Sequence, residues 1–172
     1  MSRKDYIDTA TLIADEILVP LSIIPPKRWR IWGQNMEIPM DNKPYLVADV
    51  ISAKPYGINP GTGIGNGDEN HEIHTNIQET LQFTLFADYD ACEDFMHRFF
   101  AALNTDVADN CQMKNQFRLA NVPSSMQMGT IKIGSTMRHR ADLRVQTLRT
   151  RTTTFPRRLM KIPDMDQVLF EP

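Results

Sequence analysis

The chain has 172 residues, enough for about one domain with a single sizeable core. Hydrophobic residues make up 41% and charged residues 23%, and the formal net charge is −2. That balance is ordinary for a soluble globular protein and excludes the overall basic excess that marks a nucleic-acid binder.

The N-terminal run is interrupted by Asp5, Asp8, Asp15 and Glu16, so no signal peptide is expected in it. No stretch approaches the roughly 18 apolar residues of a membrane span. The expectation is a chain that stays soluble where it is made and engages no membrane. Residues 3–18 read as an amphipathic helix, with Tyr6, Ala10, Ile13, Ala14 and Ile17 on one face. Ser2 or Asp5 can cap it and Pro20 ends it. Pro25 and Pro26 then hold the chain extended.

Tyr45–Ser52 alternates with both faces partly apolar and reads as an inner strand. A glycine-rich excursion spans 56–75, either a long loop or an extended hairpin. The next strand turns Leu81, Phe83 and Leu85 one way and Thr80, Gln82 and Thr84 the other. Asp90 and Glu93 form a capping-box pattern at the start of the strongest helix. Its buried stripe is Cys92, Phe95, Met96, Phe99, Phe100 and Leu103. The polar run Asn104–Asn110 breaks it. A short strand fits Gln116–Val122, and residues 123–129 read as a turn-rich link. From His139 to Thr154 runs a long strand with Ala141, Leu143 and Val145 inward and Arg140, Asp142, Arg144 and Gln146 outward. Leu148 breaks that parity, which predicts a bulge near Thr147. The fold class is therefore α+β: a mostly antiparallel sheet with two main helices on one face. Residues 1–154 form one domain and 155–172 an extended C-terminal tail that lies on something.

The stretch Gly61–His74, GTGIGNGDENHEIH, invites a catalytic reading. A phosphate loop needs its glycines between a strand and a helix N-terminus, and here they lead into a strand. A metal would use Asp68, Glu69, His71 and His74, but histidines three apart on an extended chain face opposite sides. Neither a cofactor nor a metal is expected. The alternative is a small metal- or nucleotide-binding enzyme built on this loop. Ser124 and Ser125 lack a nucleophile context, and Asp88 with Asp90 reads as helix entry. The two cysteines, Cys92 and Cys111, allow one disulfide on count, but two buried or idle thiols is preferred. Arg138, Arg140, Arg144, Arg149 and Arg151 decorate the long strand. They are a solvated face, contacts to an adjacent subunit, or DNA-phosphate contacts of an accessory protein; subunit contacts are preferred.

Three blocks carry a family resemblance. In Ile31–Ser52 the marks are Gln34, Asn35, Pro39, Pro44 and Tyr45. Gln78–Leu103 has an extended Gln-Phe strand and then an amphipathic helix. Arg138–Thr150 has an Arg-Ala-x-Leu-x-Val pattern before a threonine-rich end. In this order they resemble the tail terminator, or neck, family of tailed bacteriophages. The longer glycine loop and the C-terminal tail depart from its shorter members. The resemblance implies a virion structural protein without catalysis. It would form a homo-oligomeric ring, commonly a hexamer, between the head connector or adaptor and the tail tube, with a sheath as a further neighbour. DNA would pass through without sequence-specific binding. On this reading the subunit or partner contacts are Gly61, Gly63, Gly65, His71, His74, Arg140, Arg144, Arg149, Phe155 and Phe170. The arginine strand is not expected to line the lumen as a continuous basic stripe.

Overall fold

The computed structural model describes residues 9–31, 39, 41, 43–60, 70–122, 126–133 and 136–156. The fold is α+β. Among the described residues, three helices lie on one face of a six-stranded, mostly antiparallel sheet. In chain order the elements are α1 (residues 9–18), β1 (Trp29–Ile31), β2 (Tyr45–Pro60), β3 (Asn70–Ala87), α2 (Tyr89–Leu103), α3 (Asp106–Asn115), β4 (Phe117–Asn121), β5 (Gln127–Ile133) and β6 (Thr136–Pro156). The sheet order is β1-β2-β3-β6-β4, and β5 pairs with β6 beside β4. Only β1 runs parallel to its neighbour, β2.

Strand β3 pairs with β6 without a register shift from Asn70↔Pro156 to Ala87↔His139. Side chains alternate between faces along a strand, so this one ladder decides what is covered. Leu81, Phe83 and Leu85 of β3 and Ala141, Leu143 and Val145 of β6 are buried under the helices. Phe99 of α2 reaches down to Phe83, with ring centroids 5.3 Å apart, and lies 5.4 Å from Phe95. From α1, Ala10, Ile13, Ile17 and Leu18 join the same core. Ile13–Leu18 is π-helical, with Val19 N–H bonded to the Ala14 carbonyl at 3.0 Å. The wider i→i+5 turn brings Leu18 back above Ile13 and so widens the buried stripe.

Several boundaries differ from the sequence reading. Asp88, not Asp90, caps α2, accepting from Ala91 N–H at 2.8 Å. The break at Asn104 is short, because Thr105 caps a new helix, α3, that buries Ala108 and Cys111. Gln116, left-handed at φ 53°, then turns the chain into β4. The turn-rich link contains a strand, β5, that the polar residues hid. β2 continues past Ser52 to Pro60, with register shifts between Val50 and Ser52 and between Pro55 and Gly57. Pro55 is tolerated because among the described residues β2 has a neighbour on one side only beyond Ala48. Phe155 and Pro156, expected in the tail, end β6 as paired residues. The bulge expected near Thr147 is absent from the β3–β6 ladder but present opposite it in the β4–β6 ladder, where Leu119 faces Thr147 and Asn121 faces Gln146. Thr147 stays inward and fully buried; the apolar pattern failed because the inward row turns polar there.

Removing Phe99 deletes the ring that joins α2 to the sheet. Phe99→Ala should lower unfolding stability by about 3–5 kcal/mol, read by urea denaturation. Exposed Met113→Ala should stay within about 0.5 kcal/mol.

Candidate functional site

Opposite the helices the sheet carries a second face, with a small apolar cluster of Tyr45, Val47 and Phe86 and polar side chains along β3 and β6. Arg140 Nε donates to Asp142 Oδ1 at 3.0 Å and stands 2.9 Å from Oδ2. Thr84 and Gln82 also donate to Asp142. Arg144 Nε reaches Gln82 Oε1 at 3.4 Å and is otherwise exposed. Charge-assisted bonds of this kind hold Arg140 in place, whereas Arg144 extends toward solvent.

The five arginines of β6 do not form one stripe. Arg138 is buried and donates to the main-chain carbonyls of Pro39, Asp41 and Lys43. Arg28 grips the same segment, with bonds of 3.0 and 2.6 Å to the two Asp41 oxygens, and lies 5.7 Å over the Tyr45 ring. The Arg28 bond holds the Asp41 carboxyl below its ordinary range. Arg149 and Arg151 have the opposite parity to Arg140 and Arg144, and so belong to the helix-covered face.

There Arg149 meets Glu79. Their Nη2–Oε1 distance is 2.9 Å, and the carboxylate is fully buried. Thr9 of α1 donates to Glu79 Oε2 at 2.9 Å and Thr147 at 3.4 Å. Four residues from α1, β3 and β6 thus converge where the apolar core ends. Burial pushes the Glu79 carboxyl above its ordinary range, while Arg149 and the two hydroxyls pull it back. Desolvation wins because a carboxylate leaving water loses more than partial pairing returns. Glu79 could have been found from sequence, since it shares its parity with Leu81 and Phe83. The Arg138 contacts could not, because their acceptors are backbone carbonyls far along the chain.

The predicted contact residues fall in different places. Arg140 and Arg144 share the polar face. Arg149 is an intramolecular partner of Glu79 and also lines an open groove of about 870 Å³ with Tyr56, Met113, Phe117, Leu119 and Leu148. His74 Nδ1 lies 2.8 Å from Thr152 Oγ1. The backbones of His71 and Phe155 pair across β3 and β6. Gly61, Gly63, Gly65 and Phe170, with Asp68, Glu69 and residues 157–172, lie outside the described residues. Among the described residues no three His, Cys, Asp or Glu side chains gather as a metal set. Cys92 and Cys111 are buried free thiols, and burial pushes Cys92 up to about 11. Among the described residues no helix is long and apolar enough to cross a membrane. Compared with models of known protein families and with curated proteins, the chain matches none.

Breaking the buried pair strands a charge. Glu79→Ala should cost about 3–5 kcal/mol, and Glu79→Leu combined with Arg149→Met far less. The raised carboxyl also sets a sign with pH. Between the unfolded carboxyl value, about 4.3, and the higher folded one, the folded state holds more protons. Glu79 should therefore make stability fall as pH rises through that window. The check is urea unfolding of the native chain against Glu79→Gln across that window, where the slope difference should vanish at lower pH.

Proposed function

We propose that the chain is a structural virion protein that forms a ring at the neck of a tailed phage. The ring caps the tail tube, joins it to the head connector and lets DNA pass through its lumen. One observation carries this reading. The three blocks that resemble the tail terminator family supply β2, β3 and β6, which are adjacent in the sheet, together with α2, which packs on it. The resemblance therefore follows the central framework of the fold rather than scattered surface segments.

Two further features support it. A ring uses heterologous contacts, so each subunit needs two different surfaces. The sheet has unlike ends, a short parallel β1 at one and the antiparallel β4 and β5 at the other. The β6 arginines are divided between faces and partly tied to Asp142, Glu79 and backbone carbonyls. A lumen without a continuous basic stripe would let DNA slide instead of retaining it through phosphate contacts.

Electron microscopy of the purified full-length chain, with and without tail tubes, tests the proposal. Closed rings of rotational symmetry, sixfold by the family resemblance, with a hole wide enough for a duplex are expected. A monomer that ignores tail tubes and binds duplex with a steep salt dependence would replace this reading with that of a DNA-binding accessory protein.

A further inference from the structure

The two sides of the sheet are defended differently. The open side of β2 carries Lys54, Pro55 and two register shifts, devices that discourage a further strand. β5 has none of the last two. It pairs with β6 from Gln127↔Asp142 to Ile133↔Thr136 without a shift, contains no proline, and has Lys132 as its one charge. Among the described residues its outer edge pairs with nothing. Beside that edge on the helix side stand exposed Met128 and Met137, 40% and 61% accessible, and Tyr89 against His139. On the polar side lies a hollow of about 420 Å³ whose lining includes Gly129, Gln127, Ile131, Arg140 and Arg144. Gly129 sits opposite Arg140, and a Cβ added there would meet nothing within 4 Å. The glycine thus leaves a path from the free edge to the two arginines.

We infer that β5 takes up an added strand, and that the occupant is residues 164–170 of a neighbouring copy. The partner rests on the ring reading; the edge of β5, unpaired among the described residues and guarded by Lys132 alone, does not. The occupant is chosen by sequence. DMDQVLF contains no proline or glycine, and residues 163–172 carry Asp164, Asp166 and Glu171 but no basic side chain. As an extended strand it alternates. Asp164 and Asp166 share one side, which matches exposed Arg144 across the Gly129 gap, Arg140 being already paired with Asp142 in the same hollow. Met165 and Leu169 share the other, which matches Met128 and Met137. Backbone pairing supplies affinity and the alternate side chains supply specificity.

Chain length decides between the same copy and a neighbour. Asp142, level with the start of β5, lies ~48 Å along β6 from Pro156 at ~3.4 Å per residue. Fully extended, the chain from Pro156 to Asp164 reaches at most ~29 Å. Residue 164 therefore cannot reach its own β5, and the strand must come from another subunit.

The test mixes two full-length variants, Met128→Cys and Leu169→Cys, with a short bismaleimide, and measures mass by light scattering in parallel. The unvaried chain controls for the buried native thiols. A cross-linked dimer band that needs both variants, and is lost when Gly129→Leu fills the hollow in the Met128→Cys partner, is the expected result. Gly129→Leu has open space around it, so unchanged far-ultraviolet circular dichroism separates blocking from misfolding. Oligomers without the cross-link would overturn the strand exchange and leave the ring intact. Monomers without the cross-link would overturn both. A cross-link formed within single chains carrying both cysteines at high dilution would overturn the neighbour assignment.

Discussion

The unshifted pairing of β3 with β6 is the constraint on which the rest depends. A slip of one residue would exchange the two faces of a strand along its whole length. It would carry Leu143 and Val145 into water and Arg144 under α2. The aromatic contacts of Phe99 with Phe83 and Phe95 fix that choice from the helix side. Glu79 fixes it again farther along, since its pairing with Arg149 exists only in this register. Hydrophobic burial and one expensive polar contact therefore specify the same alignment. The polar contact contributes specificity at least as much as stability, because burying its carboxylate offsets much of what the pairing with Arg149 gains.

With the faces fixed, the arginines of β6 acquire separate tasks. Arg138 holds the carbonyls of Pro39, Asp41 and Lys43, and Arg28 holds the Asp41 carboxylate and the Lys43 carbonyl as well. Arg149 completes the Glu79 cluster. Arg140 is bound to Asp142, and Arg144 remains available at the surface. What looks like one basic strand in the sequence is thus mostly internal fastening, with a small exposed remainder next to the hollow over Gly129.

The class of fold was legible because its signals are strong and local. Alternation in β3 and β6 and the apolar stripe of α2 both survive in the structure. The misses have common physical causes. Thr147 and Arg149 are inward polar residues that pair with Glu79, so a pattern based on hydrophobicity read them as a bulge. α3 follows a polar break and has a weak apolar face, and its start depends on the Thr105 cap. β5 gains its strand conformation from β6, a partner in space that its own residues do not announce. For the candidate site, Arg140 and Arg144 were legible as outward residues by parity. Arg149 was assigned to the surface because its partner, Glu79, lies far away in sequence and meets it only through the ladder.

Copy number is the most direct measure of the central claim, that this chain is a ring subunit of a virion. Quantitative peptide mass spectrometry on purified phage particles would give copies of this chain per copy of portal protein. The account predicts a fixed ratio far below that of the capsid protein, constant between preparations. Absence of the chain from intact, infectious particles would contradict it.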